Sequence, residues 1–366
     1  MADTRRLTHP LCGANLATLA KATRRGGFPT GRGLPQYLIA WGAAIGRLPF
    51  TLGERVYAKL KAPKDIAPPI FILGHWRSGT THLYNILAKS EQFGFVTPFA
   101  TALPWDILSI GTLMRPLLER SLPKHRYIDN VAVDAAAPQE DEIALANMTA
   151  DSYYHALYFP QAFQAFFDRG VFFKHLGPAE LDDWNKTIRR LYTKLSLDQD
   201  GRRLVIKNPV YTARPQHLAR LFPGAKFIHI HRDPFKVFVS MQNFYKKLLA
   251  EFALQPYDHL DINEIIFDTY DEMMERYLGE TALFTPQQLV EISYSDLQSE
   301  PLKALETTYD QLDLPGYDTD RAAFAAYLDT VQDYQKNKFT LPDDLAQEIA
   351  RRWRRYFDHW GYARAL

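Results

Sequence analysis

The sequence predicts an α/β fold, in which a P-loop-like parallel sheet is flanked by helices and preceded by a helical N-terminal extension. A hydrophobic run over residues 69–73 ends at a glycine-bounded loop and resumes as a helical pattern. A second run, 225–231, ends at Arg232-Asp233-Pro234, and proline favours a first helical position. Strand-like and helical patterns alternate elsewhere, as a parallel sheet requires. Strands are predicted near residues 70–74, 93–97, 203–207, 226–231 and 289–294.

Length and composition indicate one sizeable domain with additions. The chain has 366 residues, of which 46% are hydrophobic and 23% charged, and its formal net charge is +1. Such a balance gives no overall attraction to nucleic acid, so basic residues must act through local placement. The single cysteine, Cys12, excludes an intramolecular disulfide and favours a reducing, cytoplasmic location.

Residues 1–65 form a basic and mostly helical extension, and residues 66–366 form the main domain. Lysine and arginine far outnumber acids before residue 66. The most apolar window, 34–46, is too short to span a bilayer, and no secretory signal is evident. Packing against the domain is the favoured role of the extension. The alternatives are peripheral contact with an anionic membrane surface, a cover over the substrate mouth, and a homodimer contact.

The first loop reads GHWRSGTT over residues 74–81. Its glycines allow backbone amides to turn toward an anion, and the helix that follows presents its positive end to the same point. The spacing of Gly74 and Gly79 matches that of the triphosphatase loop, but Thr80 stands where that loop has lysine, and the cation is Arg77. An ordinary kinase or NTPase is therefore disfavoured. A glycine-rich turn that only connects strand and helix, with no ligand, is the other alternative.

A second anion-binding segment is predicted at Arg232 and Ser240. Arg232 follows a strand and Ser240 lies about two turns into the next helix, so both can face one edge of the sheet. Arginine is a forked, permanent cation and serine a compact hydroxyl, which suits a second phosphate. The alternative is a local ion pair of Arg232 with Asp233. The triplet His231-Arg232-Asp233 also resembles a kinase motif, but Phe238 stands at the metal-ligand position, which excludes that interpretation.

Lys207 ends a strand-like segment that lies between the two anion-binding segments in the sequence. Ligands of open parallel sheets bind beyond the carboxyl ends of the strands, so Lys207 is expected near Arg77 and Arg232. A solvated strand-end lysine is the alternative.

These segments together resemble the sulfotransferases that use 3′-phosphoadenosine 5′-phosphosulfate (PAPS), especially the branch with RSGTT in the first loop, which includes tyrosylprotein and bacterial enzymes. The resemblance implies the sulfotransferase fold and PAPS as co-substrate. It implies that Arg77, Ser78, Gly79, Thr80 and Thr81 hold the 5′-phosphosulfate, that Arg232 and Ser240 hold the 3′-phosphate, and that Lys207 steadies the transferring group. Tyr294 falls in a segment similar to the family's Y-x-D-L, and Lys336 and Lys338 match weakly a basic segment that closes over the nucleotide.

Sulfuryl transfer needs an in-line geometry and neutralisation of the leaving phosphate oxygen, which Arg77, Lys207 and loop amides can supply without a metal. A general base should take the acceptor's proton. In tyrosylprotein-like and several carbohydrate enzymes of the family a glutamate lies some twenty to thirty residues beyond the loop, but that stretch here offers Thr97, Pro98 and Phe99, and the next acid is Asp106. Glu140 and then Asp141 are therefore the first candidates, because similar bacterial sequences carry P-x-E-D-E. Acids in a first helical turn also have a purely structural role. His155 is another candidate base, although a histidine among aromatics is more often in the core; Asp106 is the last.

The acceptor is a small-molecule, lipid or glycan hydroxyl, with a phenol or peptide left open. The aromatic segment 151–173 either lines an acceptor pocket or forms a helical core. The competing functions are a P-loop kinase or NTPase and a nucleotide-binding module without catalytic activity. A final helix is predicted where Trp353, Phe357 and Trp360 recur at helical spacing, with Arg351, Arg352, Arg354 and Arg355 on its solvated face.

Overall fold

The computed structural model describes residues 8–31, 33–63, 65–109, 137–331 and 341–365. Its sheet has five strands: β1 (Ile70–Leu73), β2 (Phe93–Gly94), β3 (Arg203–Lys207), β4 (Lys226–His231) and β5 (Leu289–Ser293). The strand order is β2-β3-β1-β4-β5. The pairs β1–β3, β1–β4 and β4–β5 are parallel. All five predicted strands are present, and β2 is shorter than predicted.

Helices connect the strands. In chain order they are α1 (Leu16–Gly26), α2 (Gly33–Lys61), α3 (Thr80–Leu87), α4 (Pro98–Ala102), α5 (Asp141–Met148), α6 (Tyr154–Tyr158), α7 (Phe163–Phe172), α8 (Pro178–Asp198), α9 (Pro215–Leu221), α10 (Pro234–Phe252), α11 (Ile262–Thr281), α12 (Tyr294–Ser299), α13 (Pro301–Leu312), α14 (Tyr317–Thr330), α15 (Asp343–Arg352) and α16 (Arg354–Trp360). Short 3₁₀ turns occupy Pro10–Gly13, Pro160–Ala162 and Pro209–Ala213. The predicted helical character of the N-terminal extension is confirmed by α1 and α2.

The chain divides into two compact units. The first unit comprises the described residues of Met1–Ala67, Gly94–Leu204 and Lys246–Leu260, and the second those of Pro68–Phe93, Val205–Tyr245 and Asp261–Leu366. The described residues of the N-terminal extension share their unit with two later segments of the chain. The predicted division at residue 65 stays a prediction.

In the first unit, the aromatic segment 151–173 is core. Tyr153, Tyr158 and Phe159 are fully buried, and Phe163 stacks on Phe167 with ring centroids 5.5 Å apart. The chain returns to this core at Phe252, whose carbonyl bonds His9 Nε2 at 3.0 Å. Of the two roles predicted for this segment, these contacts favour the helical core.

Buried charges fix α2 within the first unit. Glu54 and Lys194 form an ion pair, and both side chains are almost wholly buried. Two turns earlier in α2, Arg47 pairs with Asp106 and donates to the carbonyls of Cys12 and Ala14. Thr51 Oγ1 also donates to Asp106, at 2.7 Å. The inward face of α2 is therefore attached through polar groups.

In the second unit, β1 lies between β3 and β4, and all four of its side chains are buried. The predicted final helix is present but interrupted at Trp353, which is buried and stacks on Tyr270 at 4.0 Å. Two of the arginines expected on a solvated face instead bind α11: Arg352 pairs with Glu264 and Asp268, and Arg355 with Asp271 and Glu275. None of the helices described is both long and apolar enough to span a bilayer.

Candidate active site

The loop between β1 and α3 is a tight turn supported by buried polar groups. Gly74 has φ +140°, and a Cβ there would lie 2.4 Å from the carbonyl oxygen of Ile230, so only glycine fits. The Gly74 amide donates to Thr212 Oγ1 at 2.8 Å, and Ser78 Oγ donates to the His75 carbonyl at 2.7 Å. Ser78 thus shapes the loop through its hydroxyl. Its role in holding a ligand stays a prediction.

Gly79 ends the loop and is the N-cap of α3. It has φ +105°, and an added Cβ would lie 2.2 Å from Cδ2 of Tyr294, so its lack of a side chain lets the tyrosine ring close on the loop. Because Thr80 and Thr81 begin the helix, their amides have no intrahelical acceptor. The predicted anion-binding geometry, a glycine turn before a helix N-terminus, is present.

Arg77 lies at the tip of this loop with a left-handed backbone, φ +70°, which is uncommon for a residue with a side chain. Its Nε donates to Ser240 Oγ at 2.7 Å. Residues kept in such a conformation cluster at functional sites. The structure therefore brings together two residues that are 163 positions apart in the chain and that were predicted for opposite ends of one nucleotide.

Arg232 completes the group. Its guanidinium donates to the carbonyl of Arg77 at 3.0 Å and stacks over the Tyr294 ring, 4.5 Å from the centroid. Its Nε is buried and has no hydrogen-bond partner among the described residues. Burial lowers the pKa of Arg232, and the charge of Arg77 lowers it further, against an opposite effect of Tyr294. An anion bound here would therefore relieve the cost of holding a desolvated cation.

Lys207 stands at the end of β3 and is 2% exposed. Its Nζ lies 3.3 Å from Oγ1 of Thr81, in the first turn of α3. The solvated lysine that was the alternative is thereby excluded. Arg77 lies in the loop, Arg232 contacts its carbonyl and Lys207 contacts Thr81 in the first turn of α3. These three cations are the cationic group of the second unit, whereas Lys336 and Lys338 lie outside the described residues.

The three acids at the start of α5, residues 140–142, have different environments. Asp141 is fully buried, and Oδ2 accepts a bond of 2.7 Å from the Tyr192 hydroxyl. Glu142 is also buried and accepts from Ser152 Oγ and the Tyr153 amide, at 2.7 and 2.8 Å. Glu140 is the N-cap residue, makes no capping bond and is partly exposed. Of the two predicted bases in this cluster, Glu140 is the one whose side chain can be reached.

His155 and Asp106 occupy structural positions in the first unit. His155 is fully buried, its Nε2 bonds the Thr149 carbonyl at 3.0 Å, and its ring stacks on Phe159 and Phe166. Burial lowers the pKa of His155 to about 4, although the bond to the Thr149 carbonyl opposes this. Asp106 is occupied by Arg47 and Thr51. Both side chains therefore make structural contacts within the first unit, and their role as the base stays a prediction.

Three residues that support the loop were not predicted. Thr212 is fully buried and accepts from the Gly74 amide, while the buried rings of His75 and Trp76 pack on Tyr270 and Phe244. Thr212 follows an Asn-Pro turn after β3, and no local pattern marks it. Across the residues that the structure describes, no three His, Cys, Asp or Glu side chains are grouped to hold a metal ion.

The sequence model described as the sulfotransferase family matches residues 68–319, which is more than half of the chain. This chain belongs to the sulfotransferase family. The predicted family and enzyme class are confirmed, and the chain is a transferase that moves a sulfuryl group. The match covers both loops, Lys207 and Tyr294, and ends before the C-terminal helices.

Two curated relatives of this sulfotransferase carry the name omega-hydroxy-beta-dihydromenaquinone-9 sulfotransferase Stf3, one from Mycobacterium bovis and one from Mycobacterium tuberculosis. Each is 29% identical over 313 residues, which is 84% of this chain and 79% of the relative.

Two solved mycobacterial sulfotransferases share the fold. STF9 from Mycobacterium avium has a TM-score of 0.67 at 16% identity and covers 96% of this chain and 97% of its own. STF1 from Mycobacterium tuberculosis H37Rv has a TM-score of 0.62 at 18% identity and covers 92% and 90%. At these identities the likeness concerns the fold alone, and it confirms the predicted fold class.

Proposed function

We propose that this sulfotransferase uses PAPS as its donor and that the cationic group of the second unit holds it. In this proposal the α3 N-terminus, with Ser78, Gly79, Thr80 and Thr81, receives the 5′-phosphosulfate, and the Arg232 guanidinium receives the 3′-phosphate. The observation that carries the proposal is the contact of Arg232 with the Arg77 carbonyl, because it joins the two segments for which anion binding is predicted. The unpartnered Nε of Arg232 supplies a donor for a ligand oxygen.

Arg77 and Lys207 have the charge that transfer requires. As the sulfuryl group leaves, negative charge develops on the bridging oxygen, and a preorganised cation stabilises it more in the transition state than in the ground state. Lys207 is buried against Thr81, so its ammonium is already positioned at the helix N-terminus. In our proposal Lys207 neutralises the leaving oxygen and Arg77 orients the sulfuryl group. The Ser240 hydroxyl, which accepts from Arg77 in this structure, then binds the nucleotide, either in place of its bond to Arg77 or in addition to it.

We further propose Glu140 as the general base, because it is the accessible acid of the three at α5. Asp141 is the alternative base in this proposal. It could act only after its hydrogen bond with the Tyr192 hydroxyl breaks, because that bond occupies the carboxylate.

For the acceptor, we propose the hydroxyl of a lipid-like molecule. The support is the name of the curated relatives, whose acceptor is a hydroxylated menaquinone. Transfer to an alcohol requires only that a base removes the hydroxyl proton and that the sulfuryl group is aligned with the hydroxyl oxygen. An apolar acceptor therefore needs no further catalytic group.

Calorimetry with adenosine 3′,5′-bisphosphate, the desulfated donor, tests the proposal. We expect binding without added magnesium, and weaker binding of ATP with or without magnesium, because the Arg232 position selects the 3′-phosphate that ATP lacks. A control titration uses adenosine 5′-phosphate, which occupies the first loop alone and should bind more weakly than the bisphosphate. A preference for magnesium ATP would instead support the kinase or NTPase alternative and overturn the assignment.

A further inference from the structure

Helix α2 exposes a row of large apolar side chains. Leu34, Leu38, Ile45, Leu52 and Val56 lie within about 40° of one line along the helix, given 3.6 residues per turn. Their exposed fractions range from 42% to 60%. We call this set the outer row. Between its members stand Trp41 and Leu48, which extend the same apolar stripe.

The opposite side of α2 is turned into the first unit and is mixed in polarity, because Tyr37, Ala40 and Ala44 are buried there together with Thr51 and Glu54. Arg47, Thr51 and Glu54 lie between about a third and a half of a turn from the outer row. Glu54 is paired with buried Lys194, and Arg47 and Thr51 bind Asp106. A helix on a water-exposed surface normally buries its apolar face and exposes its charges. In α2 the buried ion pairs fix the orientation, so the outer row faces away from the first unit and remains exposed. Exposed apolar patches of this kind often mark interaction sites.

The exposed charge beside the outer row has one sign. Arg55, Lys59 and Lys61 are exposed on α2, and Lys21 and Arg24 are exposed on α1. Glu54 is the one acidic residue in the sequences of these two helices, and it is buried. Arg55 and Lys59 are four residues apart, so they lie on one side of α2, next to Leu52 and Val56 of the outer row. Long cationic side chains in this position can reach a lipid phosphate while their stems lie on apolar surface.

A basic cavity of about 400 Å³ opens next to Arg55 within the first unit. Lys21, Arg24, Arg55 and Arg190 line it, and the Arg190 guanidinium lies 5.7 Å from the centroid of the Trp105 ring. In the part of the chain that the structure describes, neither Arg55 nor Arg190 forms an ion pair. The acids Asp151 and Glu180 of the same wall are already paired with Arg25 and Arg169, which leaves Asp183 as the remaining acid of the lining.

We propose that α2 is an interfacial membrane anchor, with its outer row among the lipid chains and Arg55, Lys59 and the basic cavity at the level of anionic phosphates. A second copy of the chain is the competing occupant of an apolar face. Two outer rows brought together would also bring together cations of the same sign, which is repulsive, whereas an anionic lipid surface complements them. An amphipathic helix with an apolar face and cationic flanks is the pattern of an interfacial helix.

Co-sedimentation of the full chain with vesicles tests the anchor. We expect binding to phosphatidylcholine vesicles containing phosphatidylglycerol, weaker binding to phosphatidylcholine alone, and weakening by salt. Leu38→Gln/Ile45→Gln/Leu52→Gln should reduce partition by at least about tenfold on both vesicles, because three exposed apolar groups of the outer row lose their insertion. Leu60, four residues after Val56 in the last turn of α2, is exposed beside the row. A matched single pair is Leu60→Gln against Leu283→Gln: the two leucines are 78% and 80% exposed, and Leu283 lies in the second unit. Leu283→Gln should bind as the native protein does.

The charge contribution is tested with Arg55→Gln/Lys59→Gln, which should lower partition about tenfold on phosphatidylglycerol vesicles and little on phosphatidylcholine. Lys303→Gln/Arg354→Gln removes the same net charge from exposed sites in the second unit and should leave binding unchanged. Two results overturn the proposal: native protein that stays in the supernatant with both vesicles, or a dimer, seen by light scattering, that dissociates in the triple variant. Neither readout involves the nucleotide, so failure here leaves the donor proposal standing.

Discussion

Two cations, one in each unit, show different ways in which a folded chain holds desolvated charge. Lys194 in the first unit is 3% exposed and is paired with Glu54, with a further bond of 2.6 Å to the Pro104 carbonyl. Arg232 in the second unit contacts a carbonyl and an aromatic ring, and one of its nitrogens is buried without a partner. The first cation has a buried protein counter-ion, whereas Arg232 forms no ion pair with a carboxylate among the residues that the structure describes.

This difference separates structural charge from charge held ready for a ligand. A buried ion pair stabilises little compared with apolar packing, but removal of one partner is costly, because it leaves an isolated charge. A desolvated cation that is not paired with a carboxylate lowers the stability of the empty protein. Such a cost is expected at a site that binds an anionic ligand. The comparison therefore predicts opposite results for mutation of the two residues.

The largest effect is expected for Lys194→Met. We expect a loss of about 3–5 kcal/mol in the free energy of unfolding, because Glu54 would remain as an unpaired, buried carboxylate. Urea denaturation at neutral pH measures this loss. The double variant Lys194→Met/Glu54→Gln removes the charge, and its amide can still accept from the amides of Leu108 and Ser109. It should recover more than half of the loss, and equal instability of both variants would contradict a structural ion pair.

Arg232→Ala should behave in the opposite way. Its removal relieves a desolvated charge, so the free energy of unfolding of the empty protein should stay the same or rise. Affinity for adenosine 3′,5′-bisphosphate should fall by about 10- to 150-fold, because a charge-assisted hydrogen bond contributes about 1.5–3 kcal/mol. Ser240→Ala should weaken binding by about fivefold, since a neutral hydroxyl bond contributes about 1 kcal/mol. Calorimetry on both variants gives the order of the two losses.

Arg354→Ala is the control for this pair, because Arg354 is an exposed arginine of the same unit whose ion pair with Asp358 lies at the surface. Its affinity for the bisphosphate should equal that of the native protein. A larger loss for Ser240→Ala than for Arg232→Ala would break the comparison, since it would assign the main ligand contact to the hydroxyl.

The donor region could be predicted from the sequence because its parts are local. Gly74 and Gly79 mark a turn that other residues cannot form, and Arg232 and Lys207 end strands whose order in a parallel sheet brings them to one edge. The five strands followed from the same hydrophobic runs. What local pattern did not contain was the support of the loop: Thr212 reaches the Gly74 amide across 138 positions in the chain.

The first unit was predicted less well because its organisation depends on distant partners. The sequence 140–142 shows three acids in a row, and nothing local says that Asp141 will bind Tyr192 while Glu140 stays accessible. The orientation of α2 was equally hidden, since Glu54 and Arg47 meet Lys194 and Asp106 more than fifty residues away. The apolar window 34–46 does not indicate which face of the helix is turned outward.

The smallest predicted effect concerns His155 and the pH dependence of stability. The pKa of this ring is about 4 in the folded protein, because burial opposes its charge, and a histidine in the unfolded chain titrates near 6.5. Below pH 6.5 the unfolded chain therefore binds a proton that the folded protein does not. Stability is fully present above pH 6.5 and declines toward pH 4, at about 1.4 kcal/mol per pH unit for this residue. His9 and His75 have pKa values of about 4 for the same reason, burial, so the native protein should show a steeper decline.

His155→Gln should remove the contribution of one proton from this slope, as measured by urea denaturation between pH 7.5 and about pH 5. Phe166→Leu is the matched control, because it removes a ring stacked on His155 without removing a titratable group. It should lower stability equally at every pH and leave the slope unchanged. If His155→Gln keeps the native slope, then the protonation of His155 does not change on unfolding. That result would contradict the assignment of His155 as a neutral histidine of the core.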